Sequence, residues 1–296
     1  MRVTMTGEDW RRLARTAGFM TLWVLAVIFA ETAVRTFVDR DWMGADAHAY
    51  WLAGRSTVPY QLAAPGHMDA FEYSPVFLQV VRPFTHLPFT VFAVGWSLVE
   101  LAIFWWMTNG LAWRWRVPVL LLCVPELALG NINAFLGLVI ILGFSRPELW
   151  AFPALTKITP MAVGAVWFLV RGEWRALVRM TVATLVLVGI SYLFDPGLWA
   201  DWFRYLTSHS TDTLPRGGWH LANQRLDVGI RLTVACLVTA LLARRDVRWP
   251  LPMALIVAVP VFGYAAGQIL AMVPPMIRLA RDDRRTAERA EVVAAD

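Results

Sequence analysis

Residues 151–170, AFPALTKITPMAVGAVWFLV, place Lys157 in the middle of a stretch that otherwise has the composition of a membrane-embedded helix. Lys157 is the only lysine of the chain, whose other basic residues are all arginine. A codon bias toward arginine explains why lysine is rare, but it does not explain why this one remains. An ionisable group at membrane depth indicates a functional site that uses a compact point charge. The alternative is an internal ion pair between Lys157 and Glu100 or Glu126.

The polar segment 39–73 contains several acidic residues, and Asp46 is one candidate among them for acid–base chemistry. Acidic residues predominate in this segment: Asp39, Asp41, Asp46, Asp69 and Glu72 stand against Arg40 and Arg55. A carboxylate in an active site is a common general base. Asp41 is the nearest rival for that role. The purely structural interpretation is that Asp46 caps a helix that begins near AHAYWLAG.

Two other groups of polar residues are candidates for substrate binding. The sequence GNIN (130–133) places Asn131 and Asn133 at a glycine-broken helix junction, where amides either contact a ligand or satisfy free backbone groups. The predicted topology puts this junction on the cytoplasmic side and favours the second role. The segment 195–225 supplies further candidates: His209, Arg216, His220 and Asn223. We expect no metal and no other cofactor, because the sequence lacks metal-ligand spacing and a phosphate-binding glycine loop.

The composition indicates an all-α, polytopic membrane protein. Hydrophobic residues make up 58% of the 296 residues, whereas about 45–50% is usual for soluble domains. Repeated apolar stretches of about 20 residues favour one helical membrane domain over residues 1–280, with a disordered cytoplasmic tail over 281–296. The net charge of +5 comes mainly from arginines beside apolar segments, so it indicates membrane orientation and not nucleic-acid binding.

The charge pattern predicts nine or ten spans. Arginines before the first span, 18–38, place the N-terminus in the cytoplasm, and Glu31 and Arg35 should pair within that span. Basic turns at 171–179 and 243–248 should also be cytoplasmic, which leaves the loops 39–73 and 195–225 outside. The stretch 74–145 is predicted to form four spans, near 74–87, 89–108, 117–129 and 133–145. Later spans are predicted near 149–170, 177–194 and 226–243, and 249–279 should form a split pair.

Several short motifs occur in a fixed order along the chain. They are DAHAYWLAG with Asp46 and Tyr50, PY at Pro59–Tyr60, YSPV at Tyr73–Val76, GNIN at Gly130–Asn133, KITP at Lys157–Pro160 and RGEWRA at Arg171–Ala176. This ordered set resembles glycosyltransferase family 87, a family of integral-membrane mannosyltransferases. The resemblance covers about residues 18–180. It implies a GT-C type fold and a sugar donor carried on a polyprenyl phosphate at the outer leaflet of the plasma membrane.

The resemblance also implies roles for the candidate residues. Asp46 would be the general base of an inverting mannosyl transfer, and Lys157 would bind the donor phosphate together with Arg82. Tyr50 and Tyr73 join the amides and the second-loop residues as candidates for substrate binding. The partners would be the lipid-linked donor, a glycolipid or glycan acceptor and the bilayer. A non-catalytic protein, either a lipid-carrier transporter or an assembly partner, is the alternative function.

Overall fold

The computed structural model describes residues 6–65, 67–208, 228–258, 267–279 and 281. Within these ranges the chain is helical and contains no strand, as the sequence predicts. The first helix, α1 (Gly7–Asp39), begins with a capping box in which Thr6 and Asp9 each accept the other's backbone N–H. The predicted span 18–38 is therefore part of a longer helix. The predicted ion pair between Glu31 and Arg35 is formed.

The other helices follow in chain order. They are α2 (Ala45–Arg55), α3 (Pro75–Val81), α4 (Phe89–Met107), α5 (Trp113–Leu122), α6 (Val124–Leu129), α7 (Asn133–Leu142), α8 (Ala151–Leu155), α9 (Ile158–Arg171), α10 (Trp174–Phe194), α11 (Pro196–Ser208), α12 (Val228–Arg244), α13 (Leu251–Ala258) and α14 (267–279). Short 3-10 helices lie at Pro59–Gln61, Arg82–His86 and Pro147–Trp150. The predicted tail 281–296 falls outside the described residues except for residue 281.

Three described helices, α1, α4 and α10, are long and apolar enough to cross a membrane by length and composition. Their large apolar side chains face outward, and Leu193 and Phe194 at the end of α10 are 84% and 80% exposed. Such a surface is unfavourable in water and suits contact with lipid. The chain is therefore a helical membrane protein. The predicted number of nine or ten spans stays a prediction.

The four spans predicted between residues 74 and 145 are not confirmed as a set. Only α4 has the length and composition of a span in this stretch. The seven residues of α3 extend about 10 Å, which is about a third of the hydrocarbon thickness. The predicted helix 117–129 is divided at Cys123 into α5 and α6, and Pro118 lies inside α5. Helix α5 continues past Pro118, and Pro125 lies in the first turn of α6, a position where proline is tolerated because its missing N–H has no helical partner there.

The described parts of the two predicted external loops are in contact. Trp202 in α11 donates a hydrogen bond from its indole to the carbonyl of Glu72 over 3.1 Å. Arg171 pairs with Asp246 at 3.3 Å and so joins the two basic turns. These contacts join the first predicted loop to α11 and join the two basic turns to each other, while the sides of the membrane on which they lie stay a prediction.

Two apolar clusters form the core, and they meet at the GNIN segment. The larger cluster includes Trp150 and Trp167 and holds α7, α9, α12 and α13 together. The second cluster includes Tyr50 and Phe77 and packs α2, α3 and α11 around the start of α4. Ile132 belongs to the second cluster and Ala134 to the first. The asparagines that flank Ile132 are therefore held between two packed halves.

Candidate functional site

The predicted span 149–170 is not one helix, because it breaks at Lys157. Helix α8 ends at Leu155, Thr156 and Lys157 leave the helical conformation, and α9 begins at Ile158. Pro160 lies in the first turn of α9, where its missing N–H would have no helical partner anyway. Lys157 thus adjoins the N-terminus of a 14-residue helix, whose dipole adds positive potential at that end.

Lys157 is held by two amides. Its ammonium donates to Oδ1 of Asn131 and to Oδ1 of Asn133, each over 3.0 Å. Among the described residues, Lys157 forms no ion pair with a carboxylate. The alternative of a direct pair with Glu100 or Glu126 is therefore wrong. An ammonium has three N–H donors, so one donor is left over for a ligand.

Asp46 belongs to the same hydrogen-bonded group. Its carboxylate accepts a hydrogen bond from Nδ2 of Asn131, the residue that also accepts from Lys157. The amide therefore connects the acid and the ammonium while it keeps them apart. The interpretation of Asp46 as a helix cap is wrong, because Gly44 occupies the N-cap position of α2 and Asp46 lies in the first turn.

Glycines allow the GNIN segment to approach α2. Gly44 has φ of +71° and donates its backbone N–H to the carbonyl of Ala128 over 2.7 Å. Gly130 has φ of +70°, and a Cβ atom there would lie 2.7 Å from the Cβ of Ala47. This close contact brings Asn131 beside Asp46. The prediction that the GNIN junction lies on the opposite side of the membrane from the first loop is therefore wrong.

The surroundings of Asp46 change its acidity. Burial raises the pKa of the Asp46 carboxyl above its ordinary value of 3.8, and the Lys157 charge and the Asn131 hydrogen bond oppose that rise. Loss of solvent disfavours the charged form of a carboxyl group. A raised pKa increases the proton affinity of the carboxylate, which suits a general base.

The two tyrosines of the sequence motifs pack beside this group, in the second core cluster. Tyr50 is 1% exposed, and its hydroxyl lies 3.2 Å from the hydroxyl of Tyr73, which is partly buried. Ser74, next to Tyr73, donates from its hydroxyl to the carbonyl of Leu155 over 2.6 Å. The YSP motif thus fixes the end of α8, just before the break at Lys157. Tyr50 is a buried part of the second core cluster, and Tyr73 packs at the edge of that cluster.

The structure does not bring every candidate residue into the group. Arg82 begins a 3-10 helix, is partly buried and makes no hydrogen bond or ion pair with its side chain among the described residues. The exposed Asp41, the rival to Asp46, lies in the turn before α2. The remaining candidates lie outside the described residues: His209, Arg216, His220 and Asn223. No group of three or more possible metal ligands occurs in the described part of the chain.

The site contains two residues that the sequence did not assign to it. Glu126 is 2% exposed and accepts a hydrogen bond from Nδ2 of Asn133 over 2.9 Å. Gln268 in α14 donates to the backbone carbonyl of Asn133 and is also 2% exposed. The signal for Glu126 was a carboxylate in an apolar stretch four residues before Gly130. No local sequence signal marks Gln268, because it lies 135 residues away from Asn133 in the chain.

The fold and the site together define a helical membrane protein in which an acid, an amide and an ammonium meet beside a broken helix. The model of glycosyltransferase family 87 matches residues 71–295, about three quarters of the chain, and the chain belongs to this family. This confirms the resemblance inferred from the motifs. The matched region includes Asn131, Asn133 and Lys157, whereas Asp46 precedes it. No curated protein and no solved structure matches the chain.

Proposed function

We propose that this glycosyltransferase moves mannose from polyprenyl-phosphate mannose to a lipid-linked or cell-envelope glycan at the outer face of the plasma membrane. The observation that carries the proposal is the continuous group Asp46, Asn131 and Lys157. A transfer of this kind needs a base at the acceptor and positive charge at the leaving phosphate. Asp46 supplies the base and Lys157 supplies the positive charge, and only the Asn131 amide separates them.

The proposed reaction is a single displacement. The acceptor hydroxyl attacks the anomeric carbon of mannose while Asp46 takes the hydroxyl proton. The bond between the anomeric carbon and the phosphate oxygen breaks on the opposite face, so the configuration inverts. The electron pair of that bond leaves with the polyprenyl phosphate. Lys157 and the N-terminus of α9 stabilise the negative charge that develops on the phosphate.

The amide bridge suits these two roles. A direct ion pair would neutralise Lys157 and occupy the lone pairs of Asp46. Because Asn131 lies between them, one N–H of Lys157 stays available for phosphate and the second carboxylate oxygen of Asp46 stays available for the acceptor. We propose that Arg82 and the second-loop residues His209, Arg216, His220 and Asn223 assist in binding donor and acceptor.

A cavity of about 360 Å³ between the two loops is the proposed place for part of the acceptor. It is bordered by the rings of Tyr60 and Tyr205 and by polar side chains of Gln61, Asp201 and Arg204. Aromatic faces beside hydrogen-bonding groups suit a sugar, since one surface of a sugar ring is apolar and its edge is polar.

The test uses purified protein in liposomes with labelled polyprenyl-phosphate mannose and an envelope glycolipid fraction as acceptor. We expect Asp46→Asn to lower transfer by about 10²–10⁴-fold, because the amide is no base. We expect Lys157→Ala to lower it by about 10²-fold or more. Asp41→Asn is the matched control, since Asp41 is exposed and has φ of +56°, which asparagine also adopts.

Unchanged transfer by folded Asp46→Asn would remove Asp46 from the mechanism. If folded wild-type protein transfers no sugar but moves polyprenyl phosphate between leaflets, the protein is a lipid-carrier transporter. The same liposomes distinguish the two activities, because transfer is read from the labelled glycolipid, and movement is read from the access of added phosphate-labelled polyprenyl phosphate, a phosphomonoester, to an external phosphatase.

A further inference from the structure

Two amide–carboxylate pairs contact Lys157 in the same way, and we call them the first and the second arm of the site. On one side, Asn131 accepts from Lys157 and donates to Asp46. On the other side, Asn133 accepts from Lys157 over 3.0 Å and donates to Glu126 over 2.9 Å. The proposed reaction uses the first arm only. The Glu126 arm therefore has a hydrogen-bonding pattern for which that mechanism gives no reason.

We propose that Glu126 is a positioning residue that fixes the Asn133 amide so that its oxygen, and not its NH₂ group, faces Lys157. This rests on the proposed role of Lys157 as the phosphate anchor. An amide is nearly symmetric in shape, so its orientation is decided by its hydrogen-bond partners. The Glu126 carboxylate accepts only from the NH₂ group, which turns the amide oxygen toward the ammonium.

Burial makes this orientation effective. Glu126 is 2% and Asn133 8% exposed, so water does not offer either side chain an alternative partner. The backbone of Asn133 is held as well, because Gln268 donates to its carbonyl. If Glu126 lost its acceptor oxygens, the Asn133 amide could turn and present N–H groups to the Lys157 ammonium. Two donors that face each other repel, so the ammonium would move away from its place.

The second arm also keeps a carboxylate one amide away from Lys157. Glu126 lies one amide away from the ammonium and does not touch it, in the same way as Asp46 on the other side. A carboxylate in direct contact would compete with a bound phosphate for the same N–H donors. The arrangement therefore holds Lys157 in place and leaves it free to bind an anion.

A swap of the two polar groups tests this directly. The double variant Glu126→Gln, Asn133→Asp keeps the net charge, the buried volume and one hydrogen bond between the two positions, but it puts the carboxylate against Lys157. We expect it to bind polyprenyl phosphate without sugar at least about tenfold more weakly than the wild type, which corresponds to one charged hydrogen bond. Glu126→Leu should weaken binding similarly. Glu126→Gln alone keeps an acceptor oxygen, so it should retain most of the wild-type affinity for polyprenyl phosphate.

Glu100→Gln is the control for the general effect of a buried glutamate. Glu100 is 0% exposed and is not part of the hydrogen-bonded group of Asp46, Asn131, Lys157, Asn133 and Glu126. Binding of polyprenyl phosphate is measured by titration of the protein in detergent, with thermal unfolding of each variant alongside. Wild-type affinity in the folded swap variant would overturn the inference. So would an equal loss of affinity in Glu126→Gln, Glu126→Leu and Glu100→Gln that follows their loss of stability.

Failure of this inference and failure of the proposed function give different results. If the wild type binds polyprenyl phosphate through Lys157 and transfers sugar, but the swap variant behaves like the wild type, only the role of Glu126 is lost. If Lys157→Ala binds polyprenyl phosphate as the wild type does, the phosphate anchor is lost, and the positioning role is overturned with it.

Discussion

Gly130 lies against Ala47 so closely that a Cβ atom on Gly130 would be 2.7 Å from the Cβ of Ala47. This contact joins the GNIN segment to the helix that carries Asp46. Atoms in a packed core keep wider separations, so any side chain at position 130 must push the two segments apart. The acid and the amide meet because this position is glycine.

We therefore expect Gly130→Ala to destabilise the protein by about 2–4 kcal/mol, from the clash together with the strain of a left-handed backbone. Transfer activity should fall with it, because Asn131 would move away from Asp46. Gly172→Ala is the matched control. Gly172 has a similar φ of +68° but no neighbour within 4 Å of the added Cβ, so it should show the strain without the clash. Thermal unfolding and sugar transfer measure both effects, and equal losses in the two variants would contradict the role of the contact.

The pH dependence of transfer should report the environment of Asp46. Burial raises the pKa of this carboxyl, so the acid limb of the activity profile should lie above the range of an ordinary aspartate. Asn131→Ala removes a hydrogen bond that lowers the pKa, and the limb should move to still higher pH. The exposed Asn109→Ala serves as control. A limb that moves to lower pH in Asn131→Ala would show that another group is titrating.

The same carboxyl should make stability depend on pH. Its pKa is higher in the folded than in the unfolded state, so the folded state binds more protons between the two values. The contribution of this carboxyl to stability is then fully present below the unfolded value, near 3.8, and is lost as the pH rises through the folded value. Asp46→Asn removes this contribution and should flatten the profile. The unfolding temperatures of the wild type and of Asp46→Asn are measured in detergent across this pH range. The same pH dependence in both proteins would show that Asp46 does not make this contribution.

Ser74→Ala tests whether the YSP motif supports the break at Lys157. The buried Ser74 hydroxyl donates to the carbonyl of Leu155, the last residue of α8. Its loss should cost about 1–2 kcal/mol in unfolding free energy and raise the KM for the donor, because the end of α8 is less well fixed. Ser145→Ala is the control, since that hydroxyl also donates to a carbonyl but its contact is exposed. An unchanged KM would limit Ser74 to stability.

The sequence determined the class of protein and the ends of most long helices. The predicted spans 89–108 and 177–194 correspond to α4 and α10, because long apolar segments must satisfy their backbone groups internally. The solitary Lys157 and the ordered motifs pointed to the family that residues 71–295 match. These signals are local, so composition and spacing carry them.

Contacts between distant residues decided the site. A hydrogen bond between Asn131 and Asp46 depends on two glycines and on how α2 packs, and charge counting had placed these residues on opposite sides of the membrane. The break at Lys157 was hidden because an apolar composition is the same for one helix and for two short ones. Glu126 and Gln268 also belong to the site because of tertiary contacts. Three-dimensional packing determines the partner of a buried polar group, and no single stretch of sequence specifies it.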